Sequence, residues 1–186
     1  MALLVEIAPV SSNPTLLIRK ARPTDFDDIV ETWSSFFPEA EADPSFGLSL
    51  YRESPSMEEE QKWFAATLQA IKDGNLVMVV AEVDGHVVGW CDVRRVAPKT
   101  PNDHRGSLGV CVRKDFRGRG IGRALLAAAM EECRKKFESL ELTVLTNNEV
   151  AIRLYTEFGF KTYGIRPSAI RRGGRYFDER LMYVDL

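Results

Sequence analysis

Histidine and cysteine are scarce in this chain: two histidines and three cysteines occur in 186 residues. His86 and His104, with no close cysteine pair, leave no zinc ligand set. No Ser-His-Asp or Cys-His constellation is present to activate a nucleophile. Cys91, Cys111 and Cys133 are odd in number, widely spaced and embedded in apolar patterns, so they read as buried thiols and not as a disulfide framework. Neither sign of charge prevails. The 25 basic and 27 acidic residues create no global field directed at nucleic acid or an anionic membrane. Long hydrophobic runs are also missing: one such as Leu76 to Ala81 is far too short to span a bilayer. Met1 to Val10 lacks the basic start and sustained apolar core of a secretory signal. These absences together lead us to expect a cytoplasmic protein with no nucleic-acid or membrane partner. The length suits one domain with a full core, spanning 16–186 after a Pro- and Ser-interrupted lead-in over 1–15.

The most informative stretch present is Arg117-Gly118-Arg119-Gly120-Ile121-Gly122. It lies between a predicted strand, Leu108 to Val112, with a connection over Arg113 to Phe116, and a predicted helix, Ile121 to Phe137. Leu126, Met130, Cys133 and Phe137 make one stripe of that helix. Glycines here leave successive backbone N–H groups unshielded at the positive end of the helix dipole, so an anion can approach them. Arg117 and Arg119 add positive charge. A dinucleotide fingerprint starting at Gly118 would need a glycine at position 123, which is Arg123. A P-loop would need Gly-Lys-Ser/Thr, but residues 122–124 are Gly-Arg-Ala.

A second segment runs from Asn148 through Leu154-Tyr155 to Phe158-Gly159-Phe160. Thr146 and Glu149 have capping-box spacing, Ile152, Tyr155 and Phe158 share a helical face, and Gly159 is placed to end the helix. With Val-x-Val at 110–112 and Arg-x-x-Gly-x-Gly at 117–122, this second block resembles the GNAT superfamily of N-acetyltransferases over most of the chain.

The remaining pattern agrees with that resemblance. Thr24 offers a cap for a helix from Asp25 to about Phe36, with Phe26, Ile29, Val30 and Trp33 on one side. Residues 37–55 read as a loop, and Ser56 and Glu59 open a helix to about Lys72 that Asp73-Gly74 stops. Asp84-Gly85 joins two strands as a two-residue hairpin, with Val83 opposite His86 and Asp92 opposite Val77. Glu141 to Leu145 is a further strand. The tail closes as a hairpin of 161–171 and 175–184. The fold class implied is α/β (α+β): a mixed, mostly antiparallel sheet splayed at the cofactor strand, with helices on both faces.

The resemblance also implies a chemistry: direct transfer of an acetyl group from acetyl-CoA, as co-substrate and without metal, to a primary amine. The acceptor would be an amino acid, a polyamine or a peptide N-terminus. It assigns the backbone of Val110, Cys111 and Val112 to pantetheine, and Arg117, Gly118, Arg119, Gly120, Ile121 and Gly122 to the pyrophosphate. Asn148 joins these cofactor-binding residues, and Tyr155 matches the position of a general acid that protonates the leaving thiolate. Asp92 is the candidate base, beside Glu82 and His104; a water chain would also serve. Glu39, Glu41 and Asp43, with the aromatics of that loop, would attract a cationic acceptor. A homodimer is compatible with the resemblance. The alternative is a non-catalytic CoA-binding sensor of the same fold.

Overall fold

In the computed structural model, residues 3–4, 15–48 and 50–186 are described. The strands are β1 (Leu3–Leu4), β2 (Leu16–Lys20), β3 (Leu76–Val83), β4 (His86–Arg95), β5 (Arg105–Val112), β6 (Ser139–Leu145), β7 (Lys161–Arg172) and β8 (Arg175–Asp185). The helices are α1 (Phe26–Ser34), α2 (Phe36–Ala42), α3 (Met57–Lys72), α4 (Ile121–Cys133) and α5 (Glu149–Glu157). One sheet runs in the order β1-β2-β3-β4-β5-β6-β8-β7, antiparallel everywhere except between β5 and β6. Each face buries its own core. Val79, Cys91, Val93 and Leu140 meet Leu125, Leu126 and Met130 of α4 and Tyr155 of α5. On the opposite face Met78, Val80 and Trp90 meet Ile29, Phe36 and Phe64 of the first three helices. Among the described residues no helix is long and apolar enough to cross a membrane. All three cysteines are buried and unpaired.

Local chemistry sets most element ends. Ser56 accepts from the Glu59 N–H while the Glu59 carboxylate takes the Ser56 N–H at 2.8 Å, so the capping box starts α3. Gly159 at φ +90° ends α5, with Phe160 N–H reaching Tyr155 O and Gly159 N–H reaching Thr156 O, both at 3.0 Å. Asp84 and Gly85 both take positive φ and close the β3–β4 hairpin.

Several predicted boundaries are corrected. Residues 36–42 form α2 and not the start of a loop, because Pro38 falls in the first helical turn, where its missing N–H would have no partner anyway. Thr24 does not cap α1. Pro23–Asp25 form a short 3₁₀ turn, fixed by Asp25 accepting from Arg22 N–H and from the Arg19 guanidinium. At α5 the cap is Asn148 and not Thr146: its Oδ1 accepts from the Ala151 N–H at 3.2 Å. Helix α4 stops at Cys133, and Phe137 is buried from the turn that follows.

The register of β4 matters most for function. Val83 lies opposite His86, but the ladder shifts between Ala81 and Glu82, so Asp92 pairs with Met78 and not with Val77. The extra β4 residue is a bulge that reverses the facing of everything beyond it. Val88 and Cys91 belong to the α4 side, whereas Trp90 belongs to the side of α1 and α3. Gly89 sits at this irregularity against the next strand: a Cβ there would stand 2.5 Å from Cys111 O and 3.0 Å from Val112 Cα.

Candidate active site

Strands β5 and β6 pair only through Arg105, Gly106 and Ser107 against Ser139, Leu140 and Glu141. Beyond Ser107 the two parallel strands part, which leaves one edge of β5 open. Alternation decides which groups face the opening. Glu138 N–H donates to His104 O at 2.8 Å on the β6 side, and Arg113 N–H donates to Val88 O at 2.8 Å on the β4 side. Backbone groups of Leu108, Val110 and Val112 therefore point into the opening, and those of Gly109 and Cys111 point to β4. Cys111 pairs with Trp90 and its buried thiol is pushed far up, mainly by burial. Its assignment to the free edge is thus corrected: Val110 and Val112 offer that edge, and Cys111 supplies packing.

The glycine loop lies at the end of this edge. Gly118 and Gly120 adopt φ +74° and +79°, a region that L-residues rarely enter, and a Cβ at either would meet nothing within 4 Å. Ala124 N–H makes the first helical bond, to Gly120 O at 3.0 Å, so the N–H groups of Ile121, Gly122 and Arg123 precede the ladder. The result is an open cradle of amides at the start of a full-length helix. Arg119 stacks on Phe116 with its guanidinium 5.4 Å from the ring centre. Arg117 turns elsewhere: it donates to both oxygens of Glu39 at 2.6 and 2.8 Å and through Nε to Val112 O at 2.8 Å.

The two sequence blocks meet in space. Gly122 faces Leu154, whose Cδ2 is 3.7 Å from a hypothetical Cβ, and Arg123 pairs with Glu157. Tyr155 is buried with an edge-on contact to Phe160 at 5.8 Å. Burial, then the neighbouring Cys91 and Cys111 thiols, holds its hydroxyl protonated well above the usual tyrosine range. Asn148 is occupied as a cap and abuts Gly47, where a side chain would collide with its carboxamide.

On the other face of the sheet, a cleft of about 780 Å³ lies between α1, α3 and β4. Trp33, Trp63, Trp90 and Tyr51 supply aromatic walls, and Glu53, Glu59, Glu60, Asp92 and Arg94 supply charge. Glu60 is 6% exposed, and burial first, then Glu59, raises its carboxyl above the usual range. Burial pushes Asp92 up to about 6, against the pull of Arg94 and of a hydrogen bond from Trp90. One Asp92 oxygen stands 3.5 Å from where a Cβ of Gly109 would be, so this carboxylate overlies the cofactor strand through the gap that glycine leaves. The other candidate bases are tied elsewhere: Glu82 binds Arg19 at 2.7 Å, and His104 contacts Pro101 O at 3.1 Å at the far end of β5.

The loop acids predicted to draw in the acceptor do not line this cleft. Glu39 is bound by Arg117, and Asp43 accepts from Ser45 at 2.8 Å. Trp63 and Glu60 go unnoticed in the sequence because their i, i+3 spacing looks like ordinary helix surface. Arg94 could have been found: Trp90, Asp92 and Arg94 alternate with the apolar Cys91 and Val93.

Comparison with known proteins agrees with this geometry. Residues 27–160 match the acetyltransferase (GNAT) family. The L-amino acid N-acetyltransferase AaaT of Escherichia coli is 32% identical over 106 residues, 56% of this chain and 65% of that protein, just under two thirds of its length. The crystal structure of ribosomal-protein-alanine N-acetyltransferase from Brucella melitensis superposes with TM-score 0.77 at 28% identity, covering 91% of this chain and 99% of that one. A Salmonella typhimurium acetyltransferase solved with acetyl-CoA shares the fold at TM-score 0.79 and 20% identity, over 92% of this chain and 94% of that one. With the splayed strands, the amide cradle and a match across most of its length, this chain belongs to the acetyltransferase (GNAT) family.

Proposed function

We propose that the protein transfers the acetyl group of acetyl-CoA to a primary amine of an amino acid or a peptide N-terminus. The observation that carries this reading is the position of Asp92, which lines the cleft and overlies Gly109 of the splayed strand. An amine seated in the cleft and an acyl group held along β5 would meet at that carboxylate. The residues fit the co-substrate: the N–H groups of Ile121 and Gly122 would face a diphosphate, and the Val110 backbone and the Val112 N–H, the Val112 carbonyl being taken by Arg117, would pair with an amide-bearing arm. Acetyl-CoA would supply the activated acyl group. A Val110 N–H turned into the opening would polarise the thioester carbonyl as charge develops on its oxygen.

Asp92 takes the proton that the attacking amine sheds; with an apparent value of about 6 it is a carboxylate at neutral pH and a base of useful strength. The new C–N bond forms as the C–S bond breaks, and the Tyr155 hydroxyl returns a proton to sulfur. A raised tyrosine value keeps that proton in place until it is needed. The family relatives named for amino acids and for a ribosomal protein support an amine acceptor. The sensor reading is not favoured, since a sensor has no need of a carboxylate at the junction of cleft and cofactor strand. Incubation with acetyl-CoA and an amine panel, with mass spectrometry of the products and of the protein, tests the proposal. Acetylated amine with unmodified protein supports direct transfer; an acetylated cysteine on the reaction path would replace it with a covalent route.

A further inference from the structure

We propose that the cleft selects a free α-amino acid, with Arg94 holding its carboxylate while the α-amine lies at Asp92. The inference rests on the acetyl-transfer reading above and narrows its acceptor. Asp92 and Arg94 are two residues apart on β4, so both side chains project from one face of the strand, about 6.5–7 Å apart at their origins. Both line the same cleft. Arg94 makes no salt bridge among the described residues, whereas the adjacent Arg95 is fastened to the Asp103 and Lys136 carbonyls. Its guanidinium is thus a planar, charged fork left available inside a cleft that is otherwise acidic.

The amine and the carboxylate of an α-amino acid hang on one carbon. An acceptor whose nitrogen reaches Asp92 therefore presents its carboxylate within range of the long Arg94 side chain, and the fork can bind both oxygens. A peptide N-terminus offers a neutral amide at that place, with one acceptor oxygen and no charge, and gains less from a guanidinium. A diamine offers a second cation, which Arg94 repels. The rest of the cleft narrows the side chain. Glu59 is already engaged by Ser56 through N–H and Oγ, at 2.8 and 2.7 Å, while Glu53 and Glu60 remain as acids facing the same space. They disfavour aspartate and glutamate, and the walls of Trp33 and Trp63 suit an apolar or aromatic side chain.

The test compares neutral amino acids, their carboxamides and dipeptides with the same first residue, in the wild type and in Arg94→Ala and Arg94→Gln. We expect the wild type to use the free acid with a kcat/KM at least tenfold above that of its carboxamide. Both variants should lose that preference through a rise in KM for the free acid well beyond any change for the carboxamide, which feels only the loss of the Arg94 pull on Asp92. A wild type that acetylates carboxamides or dipeptides as well as free acids overturns the inference, as do variants that slow every acceptor equally. If no amine is acetylated, the acetyl-transfer reading falls. Tryptophan fluorescence then judges the cleft by itself: tighter binding of the free acid, lost in Arg94→Gln, upholds carboxylate recognition, and equal binding of acid and carboxamide overturns it.

Discussion

Arg117 and Glu39 form a two-point ion pair, at 2.6 and 2.8 Å, between the cofactor loop and helix α2. The same guanidinium donates to Val112 O at the open end of β5 and lies over the Phe36 and Phe46 rings at 5.8 and 5.6 Å. One side chain thereby joins the strand edge, the glycine loop and helix α2. Because Glu39 is committed to this pair, Glu39→Ala should raise the KM of cationic and neutral acceptors by the same factor. Arg117 is part-exposed, so a double-mutant cycle on denaturant stability with Glu39→Gln and Arg117→Gln should return a coupling of about 0.5–1 kcal/mol. Zero coupling would reduce the pair to a solvated contact.

The conformation at Gly120 sets a second expectation. Its φ of +79° penalises any Cβ, although none would clash in the protein itself. Gly120→Val should lower stability by about 1–2 kcal/mol and remove calorimetrically detectable CoA binding, because the added side chain would occupy the anion's place. A folded variant with unchanged CoA affinity would remove the loop from cofactor binding.

Gly89→Ala should damage the fold by a different route, a steric clash. The Cβ would press on the backbone of β5 at Cys111 O and Val112 Cα, at 2.5 and 3.0 Å, where no rotamer can yield. Chemical denaturation should show a loss of roughly 1–3 kcal/mol, the usual scale of overpacking. A midpoint like that of the wild type would mean that β4 and β5 can separate freely.

Asp92 links activity to stability with opposite signs. As a base it must be ionised, so kcat/KM should fall as pH drops through about 6, with Arg94, Glu53, Glu59 and Glu60 facing the same cleft and shaping the curve. Its folded value lies above the ordinary 3.8, so the native state binds more protons between those values. Stability from this group is therefore present below 3.8 and lost as pH rises through about 6. Asp92→Asn should slow turnover by about 10²-fold or more while raising Tm at pH 8. A variant with lower Tm at pH 8 would show that the carboxylate is held by contacts outweighing its burial.

Tyr155→Phe should lower kcat on the order of 10²-fold with CoA affinity nearly intact. The ring keeps its contact with Phe160, so the fold should hold. Because the hydroxyl titrates well above its ordinary value, it should add no falling limb to the rate profile below pH 10. Wild-type turnover under chemistry-limited conditions would assign Tyr155 to packing.

The sequence by itself determined the local features. Glycines at 118, 120 and 159, the Ser56 and Glu59 capping pair and the Asp84-Gly85 turn each depend on interactions within a few residues, and each is found where its pattern places it. The two cofactor blocks were legible for the same reason. Tertiary structure alone decided the rest. Whether Cys111 or its neighbours Val110 and Val112 offer backbone groups to the opening depends on which strand each residue pairs with, and pairing is a long-range choice. The bulge at Gly89 turned Asp92 from the Val77 face to the Met78 face, a reversal that follows from one extra residue in a period of two. Glu39 and Arg117 are 78 residues apart, and Glu60 and Asp92 line one cleft only because α3 crosses the same face of the sheet that β4 presents. Local propensity carries no record of which distant charge a side chain will meet, so the cleft and its free Arg94 emerged only when the elements packed.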